Sequence, residues 1–280
     1  MTRSIVLVSD STSVEPEMAR RLDVTVVPLQ VIIGATSYDE GVDAGPDDVA
    51  AALHRRQPVS TSRPAPEAFL RVYEGAAKQG AEAVVSIHLS GEVSGTFESA
   101  QMAARGASIP VHCVDSRQLG MGTGFAVETA AAALDDGISA EKVAEAACER
   151  ARSTKALFYV DTLEFLRRGG RVGAATAIFG SALAVKPLLA IDDGTIVPLE
   201  KVRTTTKAIS RLEELAFEAA GDAVVDIAVS HLASADRACD LADRLRAQVP
   251  NARGLVVNQV GAVIGAHVGP GLLAVVVAPR

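Results

Sequence analysis

Two short hydroxyl-rich turns, Thr61-Ser62-Arg63-Pro64 and Ser94-Gly95-Thr96, supply one kind of chemistry, hydrogen-bond donation to an anion. Each stands just before a stretch that reads as a helix, Pro66–Gln79 and Phe97–Arg105. The first N–H groups of a helix lack intrahelical partners and carry the positive end of its dipole. A carboxylate or phosphate placed there is held without a basic side chain. Pro64 sets the chain direction and Gly95 lets backbone approach a ligand. Ser and Thr in such places also serve as ordinary helix caps, and that reading stays open. The charged candidates lie in the second half: Arg171 after Gly169-Gly170, Arg203 in Lys201-Val202-Arg203, and His267 before Gly269-Pro270-Gly271. Two guanidiniums and an imidazole suit a phosphate if they converge, and are solvated or neutral structural groups if they do not.

Several catalytic signatures are missing. There is no G-x-x-x-x-G-K-[ST] loop, and Gly120-Met121-Gly122-Thr123-Gly124 lacks the G-x-G-x-x-G spacing, so neither familiar nucleotide cradle is present. Glu92 occupies the first glycine position of a G-x-S-x-G elbow around Ser94. Five scattered histidines with no H-E-x-x-H disfavour a zinc hydrolase and leave no metal site to assign. A serine-dependent acyl hydrolase or transferase using Ser94 remains an alternative, as does a regulatory module for another small anion.

The elements that must position these residues alternate along the chain. Short β-branched runs (Ser4–Val8, Val24–Ile33, Ala83–His88, Val111–Val114) are separated by helical patterns at Pro46–Arg56, Pro66–Gln79, Phe97–Arg105 and Gly124–Asp135. Near-continuous apolar strands predict a parallel sheet with helices on both faces, and its ligands gather at the strand ends, where Ser9-Asp10-Ser11, Ser90 and Asp115-Ser116 fall. Beyond residue 150 the pattern changes: Asp192-Asp193-Gly194 reads as a hairpin turn, and the Gly254–Pro279 stretch, free of charged residues, reads as two buried strands around a loop. The fold class is therefore α/β. We expect an N-terminal Rossmann-like domain over 1–155 with a mainly parallel sheet, and a C-terminal α/β domain over 156–280 with a mixed sheet.

Composition narrows the partners. A net charge of −7 without long basic clusters argues against nucleic acid, and 4% aromatics with no Trp leaves little for base stacking. Cys113, Cys148 and Cys239 have no metal spacing and read as buried thiols of a reducing cytoplasm; the short apolar start is no signal peptide, so a cytoplasmic location is expected.

With these motifs in view, the chain resembles the DegV family, the bacterial fatty-acid-binding proteins that include the binding subunit of fatty-acid kinase. The likeness runs nearly end to end: Ser9-Asp10-Ser11-Thr12, Thr61-Ser62-x-Pro64, Ser90-x-x-x-Ser94-Gly95-Thr96-Phe97-x-Ser99-Ala100, Asp115-Ser116, Phe165-Leu166-x-x-Gly169-Gly170-Arg171, Lys186-Pro187, Lys201-x-Arg203 and Gly265-Ala266-His267-x-Gly269-Pro270-Gly271. Ser9 replaces the family's usual Thr, and His88-Leu89 its usual small residues. The resemblance implies one buried long-chain fatty acid and no other cofactor. Its carboxylate would be bound around Thr61, Ser62, Ser94, Gly95 and Thr96. A separate ATP-dependent kinase would phosphorylate it to an acyl phosphate for phospholipid synthesis, with Arg171, Arg203 and His267 around the phosphoryl group or kinase contact. It also fits transient contact with a membrane surface. Hydroxyl and N–H donors agree with this, since they hold a carboxylate while leaving it nucleophilic, and the missing nucleotide loop explains a second protein. About fifteen methylenes at roughly 0.8 kcal/mol each outweigh a headgroup hydrogen bond of about 1.5 to 3 kcal/mol. The tail should set affinity. The segment Val172–Val185, with Ile178, Phe179 and Leu183, either lines the acyl tunnel or forms an ordinary core helix.

Overall fold

Buried on both faces, the apolar runs of the first half become a parallel sheet. The computed structural model describes residues 4–172 and 185–280. Strands β1 (Ile5–Asp10), β2 (Val24–Val27), β6 (Ala83–His88) and β7 (Val111–Asp115) lie in the order β2-β1-β6-β7, all parallel. Alternation along them splits the core in two. Leu7, Val85 and Ile87 pack with Ala126, Ala130 and Ala147 of helices α5 (Met121–Asp135) and α6 (Ala140–Ser153). Val8 and Val84 meet Phe69, Tyr73, Ala100 and Ala103 of α3 (Pro66–Lys78) and α4 (Thr96–Ala104) on the other face.

The chain leaves this sheet after α6 and builds a mixed one from β8 (Lys155–Tyr159), β9 (Lys186–Asp192), β10 (Thr195–Val202), β11 (Val225–His231), β12 (Ala252–Gln259) and β13 (Leu273–Pro279). Their order is β10-β9-β8-β13-β11-β12, with only β11 and β12 parallel. Leu157, Tyr159, Val275 and Val277 bury one face under Leu212 and Leu241 of α8 (Thr205–Ala220) and α9 (Ala235–Gln248). Ala156, Phe158, Ile191 and Val276 project from the other face toward Phe125 of α5 and Leu166 of α7 (Glu164–Arg168). The β9–β10 turn is the expected hairpin, with Asp193 and Gly194 at φ +45° and +82°, as a two-residue primed turn requires. Its tip docks on the first half: Ser90 Oγ donates to the Gly194 carbonyl at 2.7 Å, and Arg117 Nε meets Asp193 Oδ1 at 2.7 Å.

Three expectations need correction. Val24–Ile33 is not one strand. Pro28 has no N–H to continue a ladder, and the chain turns away into a small antiparallel sheet, β4-β3-β5, made of β3 (Gln30–Ile33), β4 (Thr36–Asp39) and β5 (Val59–Ser62). The link between the two Val-rich final strands is not a loop but contains helix α10 (Ala262–Val268). Val, Ile and Gly are weak helix formers, so this helix depends on packing: Ala262 and Ala266 bury against Val31 of β3 and Val49 of α2 (Pro46–His54). Nor are the three cysteines buried thiols: Cys113 and Cys148 are half-buried. Cys239 is exposed because it lies opposite the Ala238, Leu241, Ala242 and Leu245 stripe of α9. No described helix is long and apolar enough to cross a membrane.

The polar strand ends mostly organise loops. Asp10, wholly buried, accepts hydrogen bonds from His88 Nδ1 (3.1 Å), the Leu89 N–H (3.0 Å), and the Thr12 hydroxyl and N–H (2.6 and 3.2 Å). The chain of contacts continues from His88 Nε2 to Ser86 Oγ (2.7 Å) and on to Tyr73 OH (2.9 Å). Asp115 Oδ1 likewise accepts from the N–H groups of Arg117 (2.8 Å) and Gly91 (3.2 Å).

Candidate functional site

A cavity of about 310 Å³ opens where the small sheet, α10, the hairpin and the start of α4 meet. One end is polar, lined by Thr61, Ser62, Arg63, Ser94, Gly95, Arg171 and His267. The remainder is aliphatic: Leu29, Leu89, Leu119, Ile196, Val263, Ile264 and Val268. Helix α10 supplies Val263, Ile264, His267 and Val268 from one face while its alanines bury on the other, so the small sheet positions the site by clamping this helix.

The two hydroxyl turns arrive differently from the expected pair of helix starts. Thr61 and Ser62 end strand β5, where Thr61 pairs with Val31; α3 begins only at Pro66, with Ala65 as its N-cap. Thr61 Oγ1 lies 2.8 Å from His267 Nε2. The second turn does start a helix: Gly95 is the N-cap of α4, and Ser94 Oγ contacts Thr96 Oγ1 at 2.9 Å. Thr96 is fully buried and lies behind Ser94 rather than in the cavity wall. Arg63 joins the turns, donating from Nη1 to the Gly95 carbonyl (3.1 Å) and to Glu98 Oε2 (2.8 Å). A β-carbon at residue 95 would meet that guanidinium, which would have to swing away and give up its bonds to the turn. The sequence reading left Arg63 without a role. Its signal was a glutamate two residues beyond the second turn's end, legible only once the turns are known to touch.

Arg171 also braces the site, donating from Nε to the Val93 carbonyl at 3.1 Å and from Nη1 to the Gly169 carbonyl. Burial, reinforced by the Arg171 charge, pushes the His267 imidazole down to about 4, so it is neutral at physiological pH. Gly169 packs so closely on the ring that a side chain there would strike it. Arg203 is exposed beyond the end of β10 and lies outside the cavity wall. Residues 173–184 of the expected tunnel segment lie outside the described residues.

Against the aliphatic end lies a smaller apolar pocket of about 70 Å³, a neck lined with Met121, Phe158, Ile191 and Val276 that shares the wall residues Leu119, Ile196, Ile264 and Val268 with the larger space. Donors at one end and hydrocarbon walls at the other fit an amphipathic acid. The arrangement does not favour an acyl hydrolase or transferase that uses Ser94. Ser94 is engaged by Thr96 and the imidazole by Thr61, so no serine–base pair forms at this site.

The fold and site thus define a three-sheet α/β protein with a polar-tipped apolar cavity. A family model described as uncharacterised protein, DegV family, matches residues 4–280, and the chain belongs to that family. A DegV domain-containing protein of Streptomyces coelicolor is 53% identical, covering 100% of both chains. Among solved structures, a DegV family protein from Thermus thermophilus, reported for its fatty acid binding, superposes with a TM-score of 0.93 at 33% identity over 99% of each chain. DegV of Bacillus subtilis, reported as a fatty acid binding protein, gives a TM-score of 0.91 at 34% identity over 99% of each.

Proposed function

We propose that this protein is a cytoplasmic fatty-acid carrier that buries a long-chain acid and presents its carboxylate to a separate ATP-dependent kinase. The cavity carries the reading, with hydroxyls and a neutral imidazole at one end and an aliphatic neck at the other. Thr61 and Ser94 donate to the carboxylate, the Thr96 hydroxyl orients Ser94, and Ser62 and Gly95 complete the rim. The Arg63 and Arg171 guanidiniums of this end already bond to Glu98 and to the Gly95, Val93 and Gly169 carbonyls, so neutral donors do most of the holding and the carboxylate stays nucleophilic. In the kinase-bound complex a carboxylate oxygen attacks the γ-phosphorus of ATP, the bond to the β–γ bridging oxygen breaks, and ADP leaves with that electron pair. Arg171, beside the headgroup, faces the developing phosphate; exposed Arg203 belongs to the kinase contact.

Mass spectrometry of the denatured, freshly purified protein tests the binding. A stoichiometric C14–C20 acid is expected; no resident lipid and no uptake of added palmitate or oleate would refute it. Thr61→Val and Ser94→Ala should each weaken binding by about tenfold or somewhat more, the loss of one hydrogen bond to a charged group worth about 1.5 kcal/mol or above. Arg203→Ala should leave binding unchanged and cut acyl-phosphate formation with the cognate kinase. Equal loss of binding in all three variants would contradict this division of roles.

Ligand binding should also be visible at His267. A carboxylate beside Thr61 favours the imidazolium, so the ring's pKa, about 4 in the free protein, rises when the acid binds. NMR titration of His267 with and without oleate measures this, and an unchanged value would place the carboxylate elsewhere.

A further inference from the structure

Across a wall of Gly120, Met121, Ser230 and Val260, which also line the neck, lies a second cavity of about 270 Å³. Its lining includes Ser11, Glu15, Glu40 and Asn258, polar groups that the headgroup site does not use. Glu40 is 4% exposed; Oε2 accepts from Ser11 Oγ at 2.6 Å and Oε1 from the Val263 N–H at 2.7 Å. Two bonds leave a carboxylate with further lone pairs. Asn258 accepts from Ser230 Oγ at 2.6 Å and donates one amide hydrogen to Glu15 at 2.7 Å, which leaves its second hydrogen available to a ligand.

We propose that this chamber binds the far end of a long-chain fatty acid bearing a terminal hydroxyl. The carboxylate lies at Thr61 and Ser94, and the chain threads the neck past Ile264 and Met121. The proposal rests on the fatty-acid reading above. A hydroxyl is the class the lining selects: it can donate to Glu40 and accept from Asn258. A second carboxylate would meet Glu15, and Glu40 in its ionised form, as like charges, and a methyl end would make neither bond. Were the tunnel blind and apolar, a terminal hydroxyl would be buried without a partner and binding would fall about tenfold or more.

The test is competition of palmitate, stearate and arachidate, each beside its terminally hydroxylated and its α,ω-dicarboxylic counterpart, for the full-length protein, read by native mass spectrometry. At one or more chain lengths the hydroxy acid should bind at least as tightly as its parent and at least tenfold more tightly than the diacid. Weaker binding of the hydroxy acid at every length overturns the proposal. Failure of all three parent acids instead refutes the fatty-acid reading itself. Met121→Phe, which plugs the neck without touching the chamber's hydrogen bonds, should put the hydroxy acid below its parent; an unchanged order shows that the hydroxyl is not read through the neck and also overturns the idea. Glu40→Gln, independent of the neck, should narrow the discrimination against the diacid by at least threefold, and unchanged discrimination counts against the chamber.

Discussion

Ile264→Trp should lower fatty-acid affinity about 100-fold while leaving the protein folded. Ile264 stands on α10 in the wall shared by the main cavity and the neck, where any chain passing from one to the other must touch it. An indole there occupies space that would otherwise hold three or four methylenes, each worth roughly 0.8 kcal/mol, and the total of about 3 kcal/mol corresponds to two orders of magnitude. The substitution fills a void rather than opening one, so the overpacking cost is small. Calorimetric titration with palmitate, with thermal unfolding as the control, decides the matter. A folded variant that keeps wild-type affinity would mean that the tail does not pass α10. Ile264→Ala, by contrast, should shift preference toward bulkier or longer chains.

The site was legible in the sequence where its function depends on local chemistry. Ser94-Gly95-Thr96 does open a helix, and the Asp193-Gly194 turn closes a hairpin, because both patterns are set within a few residues by capping and by positive φ. Two-sided burial of Ile5-Val6-Leu7-Val8 was equally readable, since a parallel strand covered on both faces has no polar alternation. What could not be read depends on contacts distant in sequence. Thr61 looks like part of a helix start, yet it lies at a strand end, because Pro28 and the Gly34-Ala35 turn divert the chain into a third sheet; Gly34 at φ +65° is the available clue. The α10 helix escaped for the opposite reason, its composition favouring strand while burial against β3 and α2 imposes helix. That one element carries His267 and Ile264, so the strand-and-loop reading had to leave their convergence with Thr61 open. Arg171 and His267 are brought to the hydroxyls by the fold, whereas Arg203, equally prominent in sequence, remains outside.

The second large effect is on stability. Asp10→Asn should cost about 3 to 5 kcal/mol, the usual consequence of breaking one side of a buried charged network. The carboxylate is an acceptor only, and its two oxygens face donors: the His88 ring, the Leu89 N–H, and the Thr12 hydroxyl and N–H. An amide turns its own N–H toward one pair of them and leaves a buried repulsion that no water can relieve. The pH dependence identifies the cause. Burial alone would raise the Asp10 pKa, but His88, Thr12 and Leu89 outweigh it, so the folded value is below that of the unfolded chain. Its stabilising contribution is therefore complete above the unfolded carboxylate range and is lost as pH falls through the folded value. The gap between wild type and Asp10→Asn in urea unfolding should accordingly be widest near neutral pH and shrink below about pH 4. Glu40 has the opposite sign. Burial raises it to about 7, against the partial relief from Ser11 and Val263, so the native state binds more protons than the unfolded chain and Glu40's contribution falls as pH rises toward 7. Glu40→Gln should flatten that neutral limb and leave the acid limb intact. A penalty for Asp10→Asn that stayed constant from pH 3 to pH 7 would show that shape, not charge, holds the network together.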